Sequence, residues 1–314
     1  MVSPPNPPFA TEIRPYGKAA IADAARLIET GLPVAVPTET VYGLAADATN
    51  GEAVARIYEA KGRPTFNPLI VHVLSLEEAE RIAQFDDAAR SLADRFWPGP
   101  LTLVLPLRPE GGIAAIVTAG LPTIAIRSPA HPAMRDLLAA VGKPLAAPSA
   151  NASGRISPTR ASHVAASLGG RIPLIVDGGA TGHGLESTIV AVTGGEIRLL
   201  RPGPISNFGV PVSSNRSEAI EAPGQLASHY APLKPLRLDA VDERDGEWLI
   251  GFGDIAGDSS LSRSGDLVEA AAALFDRLHE AEASARAAIA VAPVPDEGLG
   301  IAINDRLRRA AAPR

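Results

Sequence analysis

Pro37-Thr-Glu-Thr-Val-Tyr-Gly-Leu44, followed by Lys61-Gly-Arg-Pro64 and Asn67-Pro-Leu-Ile-Val-His-Val73, is the stretch around which the chain is organised. The run 32–36 ahead of it is short, apolar and valine-rich, which reads as a buried strand. Thr38, Glu39 and Thr40 therefore stand where that strand ends, and in open α/β sheets ligands collect beyond the carboxyl ends of strands. Ala53, Val54, Ile57 and Tyr58 then recur at helical spacing, and Gly62 offers the cap at which a helix stops. Lys61 and Arg63 flank that glycine, and two readings of them stand. They complement the negative end of the helix dipole, worth about 0.3–1 kcal/mol each. Alternatively, since Pro64 and Asn67-Pro68 stiffen the backbone before a strand that delivers His72, the cations, the amide and the imidazole form a polyanion site.

At 314 residues the chain exceeds a usual single core, so one large and one small domain are expected. With 46% hydrophobic and 20% charged residues it reads as an ordinary globular protein. It has no cysteine, which removes disulfides, thiolate catalysis and Cys-ligated metal centres. The histidines are scattered, and no metal site is expected. No stretch approaches the roughly 18 unbroken apolar residues of a membrane span, and no signal-peptide pattern is present, so the expected compartment is the cytoplasm. A formal charge of −6 argues against an extended nucleic-acid-binding face.

Residues 1–12, rich in proline, read as a disordered tail. Residues 13–209 read as the first domain, 210–235 as a linker, and 236–314 as a small α/β unit. Within the first domain the pattern predicts helices over 18–29 and 131–141, and a capping box at Ser75-Leu-Glu-Glu78. It also predicts strands over 101–106, 123–126, 144–147 and 172–176, and a hairpin around Thr193-Gly-Gly195. Pro148-Ser-Ala-Asn-Ala-Ser-Gly-Arg-Ile-Ser-Pro-Thr159 is either an ordinary turn or a backbone cradle for phosphate, with Thr159 capping the helix that follows. Thr40, Arg127, Ser149, Asn151, Ser187 and Arg201 all fall at or beyond strand ends, a recurrence that argues for convergence. In the linker, His229 and Tyr230 stand between prolines, either anchoring the second domain or folding over the cleft as a lid. Strands over 247–252 and 287–291, a helix from Leu267 and a basic helix over 304–312 complete the chain. No P-loop is present, and Gly251-Phe-Gly-Asp-Ile-Ala-Gly257 has the wrong spacing for a dinucleotide fingerprint.

Together these motifs, with Trp97-Pro-Gly-Pro-Leu-Thr102, Arg127-Ser-Pro-Ala-His-Pro132, Pro148-Ser-Ala-Asn151, Ser187-Thr188 and Arg201-Pro-Gly203, resemble the YrdC-type threonylcarbamoyl-AMP synthases. His229-Tyr-Ala-Pro232 and Gly300-Ile-Ala-Ile-Asn-Asp-Arg-Leu-Arg308 are similar to the longer, two-domain branch. The resemblance covers nearly the whole chain. It implies a twisted mixed-sheet α/β domain with flanking helices, then a linker and a small Rossmann-like domain. The implied reaction joins L-threonine, bicarbonate and ATP into threonylcarbamoyl-adenylate with pyrophosphate released, Mg2+ accompanying the ATP and no organic cofactor. The product would pass to separate proteins that modify tRNA beside the anticodon. By the same resemblance Lys61, Arg63, Ser149 and Asn151 are the catalytic signature. Lys61, Arg63, Asn67, Thr123, Asn151, Thr159, Arg201, His229 and Tyr230 would face ATP. Thr40, His72, Arg127, Ser149 and Ser187 would face threonine. Two alternatives share the domain: an RNA-binding module without catalysis, and a carbamoyl-adenylate-forming maturation enzyme, whose acylphosphatase and zinc-finger segments are missing here.

Overall fold

Val34 to Pro37 and Tyr42 to Asp47 are buried at every position, so both segments lie inside a covered sheet rather than at its surface. The computed structural model describes residues 8–213, 221–222 and 228–313. The first part of the chain runs β1 (Glu12–Pro15), α1 (Lys18–Glu29), β2 (Val34–Pro37), β3 (Tyr42–Asp47), α2 (Gly51–Lys61) and β4 (Ile70–His72). It continues through α3 (Leu76–Ile82), α4 (Asp87–Phe96), β5 (Leu101–Pro106), α5 (Ala115–Thr118), β6 (Thr123–Arg127) and α6 (Pro132–Val141). It ends with β7 (Leu145–Ala146), α7 (Ala161–Leu168), β8 (Leu174–Asp177), β9 (Thr188–Thr193) and β10 (Glu196–Arg201). After the linker come β11 (Leu236–Arg237), β12 (Glu247–Gly251), β13 (Ser259–Ser260), α8 (Leu267–Ala283), β14 (Ala288–Val291) and α9 (Leu299–Ala311).

The strands form a mixed ten-stranded sheet, in the order β1-β8-β2-β3-β7-β4-β6-β5-β9-β10, and a parallel four-stranded one, β11-β14-β12-β13. This is the mixed α/β architecture, with a second small sheet, that the resemblance implies. One face of the large sheet packs under α2, α4 and α7 through Val54, Ile57, Leu92 and Val164. The other packs under α1 and α6 through Ile21, Ile28, Leu137 and Leu138. The core of the small domain is continuous with the first domain, because Val41, Ile156, Leu185 and Tyr230 pack with Phe275, Leu274 and Ile303.

Local signals explain most element ends. The Asn50 side chain accepts the Glu52 and Ala53 amides at the start of α2, and Gly62 ends it in the left-handed region at φ 59°. Ser75 accepts the Glu78 amide, while the Glu78 carboxylate accepts the Leu74 amide, closing the expected capping box one residue early. Gly184 is forced by packing, since a Cβ there would lie 2.4 Å from the Ala271 carbonyl oxygen of α8.

Several expectations need correction. Residues 1–7 of the supposed disordered tail lie outside the described residues, but 9–12 are anchored. The Phe9 amide bonds the Gly170 carbonyl, Thr11 Oγ1 bonds the Ile172 carbonyl at 2.6 Å, and Glu12 opens β1 beside β8. Thr159 does not cap α7: Arg160 holds the N-cap position without a side-chain bond, and Thr159 is buried with its amide directed at His163 Nδ1. The helix itself starts at Ala161, as its spacing implies, so Thr159 stands one residue ahead of the N-cap position. β3, not expected as a strand, pairs antiparallel with β2, which makes Thr38–Val41 a tight turn. Its Gly-Leu-Ala-Ala sequence is buried on both faces and has neither alternation nor β-branched residues to betray it. Of the linker 210–235, residues 214–220 and 223–227 lie outside the described residues. No helix among the described residues is long and apolar enough to cross a membrane.

Candidate active site

Sheet order brings the polar strand ends together. β4 and β6 run parallel with His72 opposite Arg127, while β5 lies beside β9, which begins just after Ser187, and β10 brings Arg201 back beside Ile189. The resulting cleft, partly open to solvent, is lined by Thr38, Thr40, Arg63, His72, Arg127, Ser149, Glu186, Ser187, Arg201, His229 and Tyr230. Val41, Gly43, Ile70, Ala147 and Pro148 complete its wall. Of the six residues expected to converge, Thr40, Arg127, Ser149, Ser187 and Arg201 line the cleft and Asn151 does not.

At one end Arg127 is fixed on every side. Its Nε donates to the Gly99 carbonyl at 3.1 Å, Nη1 to Thr40 Oγ1 at 2.9 Å and Nη2 to Glu39 Oε1 at 2.6 Å. The other Glu39 oxygen accepts the Ala130 and His131 amides. Burial opposes the charge on Glu39, but the adjacent guanidinium outweighs it and holds the carboxyl at about 2. Thr38 shapes the turn by donating from Oγ1 to the Val41 carbonyl at 2.7 Å. His72 is buried, and burial followed by the nearness of Arg127 lowers it to about 3, so it is a neutral imidazole whose Nδ1 has no partner among the described residues.

At the other end three buried cations are held by carbonyl oxygens. Lys61 Nζ donates to the Ser149 and Asn151 carbonyls. Arg63 donates from Nε to the Asn67 carbonyl at 3.2 Å and from Nη2 to the Pro68 carbonyl at 2.9 Å. Arg201 donates from Nε and Nη2 to the Ser187 carbonyl, and from Nη2 to Ser187 Oγ at 3.0 Å. Ser187 Oγ also lies 2.7 Å from Thr102 Oγ1. Among the described residues none of the three cations has a carboxylate within ion-pair distance. Burial, with Arg63 adding, drives the Lys61 amine well below its usual value; burial, with Arg201 adding, brings Arg63 down to about 10. Lys61 is thus more than a helix-end cation, because it crosses to the loop that carries Ser149.

Lys61, Asn67, Asn151, Thr123 and Thr159 do not line the cleft itself. Lys61 and Asn151 lie behind Ser149, and the Asn151 amide donates to the Ala152 and Arg155 carbonyls. Asn67 is buried with both amide atoms unpartnered among the described residues. Thr123 stands at the opposite end of β6 from Arg127, paired with Pro106.

The linker pair reaches the cleft. His229 and Tyr230 are buried with their rings 4.1 Å apart, and the His229 amide bonds the Arg309 carbonyl of α9. Tyr230 adopts φ 64°, a region costly for an aromatic residue, and its hydroxyl has no partner among the described residues. Unpartnered buried polar atoms are rare in proteins, and three of those among the described residues belong to side chains that line this cleft: His72 Nδ1, His229 Nδ1 and the Tyr230 hydroxyl. Glu186 is a lining residue that sequence reasoning missed. Its only signal was adjacency to Ser187.

Residues 26–203 match the family described as "Telomere recombination", and residues 190–312 match the threonylcarbamoyl-AMP synthase C-terminal domain. The chain is 42% identical to threonylcarbamoyl-AMP synthase of Bacillus subtilis, covering 94% of this chain and 93% of that one. It is 39% identical to the synthase of Pyrococcus abyssi over 93% and 94%. The crystal structure of P. abyssi Sua5 complexed with L-threonine superposes with a TM-score of 0.85 at 37% identity, covering 96% of this chain and 97% of that chain. With both segments matched in order, and with relatives matched over more than nine-tenths of their own length, the chain belongs to the two-domain threonylcarbamoyl-AMP synthase family.

Proposed function

We infer that the chain is a nucleotidyltransferase that forms L-threonylcarbamoyl-adenylate from L-threonine, bicarbonate and ATP, for modification of the adenosine beside the anticodon of certain tRNAs. The observation that carries this reading is the cleft's polarity: a carboxylate-paired arginine at one end and, at the other, the carbonyl-held Arg63 and Arg201 with Lys61 bonded to the Ser149 carbonyl behind them. The Arg127 fork suits the amino-acid carboxylate, with Thr40, Ser149 and Ser187 offering hydroxyls or backbone to the rest of threonine. His72, being neutral, serves as a hydrogen-bonding group rather than a charge. The threonine amine takes up bicarbonate carbon to give a carbamate with loss of water, and a carbamate oxygen then attacks the α-phosphorus as pyrophosphate leaves. Such a step needs positioning and charge stabilisation, which Lys61, Arg63 and Arg201 supply to the triphosphate. Asn67, Asn151, Thr159 and Thr123 would complete the nucleotide's surroundings.

Among the described residues no cluster of three or more acidic or histidine side chains stands ready for a metal, and Glu186 is already bonded to Ser157 and Arg306. Mg2+ would therefore be carried by the triphosphate and its waters, supplying further charge neutralisation there. Residues 13–209 are read as the catalytic domain, 210–235 as a lid that brings His229 and Tyr230 over a hydrolysable adenylate, and 236–314 as the domain that seats it. The product passes to separate transfer proteins in the cytoplasm. The test is pyrophosphate release from ATP in the presence of each substrate alone and of both. Release that requires threonine and bicarbonate together supports the reading; release indifferent to threonine refutes it.

A further inference from the structure

The C-terminal domain reaches the wall of the cleft with Arg306 of α9. This side chain is fully buried, donates from Nε to Glu186 Oε2 at 2.8 Å and from Nη1 to Asp305 Oδ2 at 2.9 Å, and lies 5.3 Å from the centroid of the Tyr230 ring. Glu186 lines the cleft directly before Ser187, and its other oxygen accepts the Ser157 hydroxyl. Arg201, bonded to the Ser187 carbonyl and hydroxyl, feels both groups: Glu186 favours its charged form and Arg306 opposes it. One buried carboxylate thus stands between an arginine of the cleft and an arginine of the other domain. A buried carboxylate deprived of its partner is strongly destabilised until another cation or a proton compensates it.

We propose that Arg306 is a positioning residue: by holding the Glu186 carboxylate it keeps Arg201 turned toward the nucleotide's phosphates, and by lying over Tyr230 it fixes the linker pair at the cleft. The small domain thereby sets the charge of a site whose floor it does not form. This rests on the nucleotide reading given above. It makes Glu186 a competitor for Arg201 that must be kept occupied.

The test is calorimetric binding of ATP, and separately of L-threonine, to the full chain and to Arg306→Gln, Glu186→Gln and the double variant, with melting recorded for each. Arg306→Gln should weaken ATP by about tenfold or more, because Glu186 then pairs with Arg201. Threonine affinity, set at the Arg127 end, should stay within about twofold. Glu186→Gln should keep or tighten ATP binding despite lower melting, and adding it to Arg306→Gln should restore most of the lost ATP affinity. A purely structural dock predicts otherwise: both single variants weaken ATP alike, and the double variant is no better. That result overturns the proposal, as does Arg306→Gln binding ATP like the parent. Should Arg306→Gln fail to fold, the sign of the Glu186→Gln effect decides alone, weaker ATP binding being the refuting outcome. A parental chain that binds threonine but not ATP would refute the nucleotide reading and this inference with it.

Discussion

The two ends of the cleft hold their cations in different ways. Arg127 is matched by Glu39, so that end is close to neutral and geometrically rigid. Lys61, Arg63 and Arg201 are oriented by carbonyl oxygens, which fix direction without cancelling charge. A matched arginine suits a single carboxylate that must be told apart by shape. Unmatched, buried, mutually repelling cations suit a ligand that brings several negative charges of its own. The lesson is that the second end is built against the stability of the free protein, as the proposed polyanion site would require.

The sharpest way to break the contrast is to remove the unmatched charges. Lys61→Ala and Arg63→Ala are each expected to cost about 2–4 kcal/mol of transition-state stabilisation, read as kcat/KM for pyrophosphate release. Their melting temperatures should fall only modestly, since the carbonyls that held each side chain lose buried hydrogen bonds while a repulsive buried charge is gone. A large fall in melting with little loss of rate would make these cations structural.

At the matched end the loss of stability should be larger. Glu39 is held at about 2, below its ordinary 4.5, so it contributes stability that is fully present above about pH 4.5 and lost as pH falls through about 2. By linkage this is about 3 kcal/mol. Glu39→Gln should therefore melt below the parent at pH 7, and the gap should close between pH 4.5 and 2; a gap constant with pH would refute the charge argument. Arg127→Lys, which keeps the charge but loses the fork, should weaken threonine by about tenfold and leave ATP affinity unchanged. A loss of ATP affinity instead would exchange the roles of the two ends.

The smallest expected effect is a proton. Because burial and Arg63 lower the Lys61 amine in the free protein, a bound polyanion should raise it again, and ATP binding should be linked to proton uptake over the pH range in which Lys61 titrates. Calorimetry in buffers of different ionisation enthalpy reads this directly, and Lys61→Met should abolish it. Uptake that persists in Lys61→Met would place the proton elsewhere.

Much of the architecture was legible where local chemistry decides it. Gly62 ends α2, Ser75 opens α3 with its capping box, and Thr193-Gly-Gly195 turns β9 into β10. Where local signals conflict with packing they misled. Gly300 weakens the helical pattern of α9, yet it lies inside that helix because a Cβ would fall 1.8 Å from the Pro295 carbonyl oxygen. The basic helix accordingly begins at Leu299, five residues before the expected start. β3 was missed because burial on both faces erases the alternation by which strands are read.

The sequence by itself determined which residues stand at strand ends and which loops are stiff, because caps, prolines and periodicity act over a few residues. It carried the family's motifs in order, and Arg127 and His72 could be placed at their strand ends without a structure. Tertiary structure alone decided that β4 lies beside β6, so that His72 faces Arg127, and that Glu39 closes on Arg127 from the β2–β3 turn. It decided too that Lys61 spans to the Ser149 loop and that Arg306 arrives from the other domain to hold Glu186. The physical reason is that charge state depends on desolvation and on neighbours distant in sequence, and local sequence pattern encodes neither.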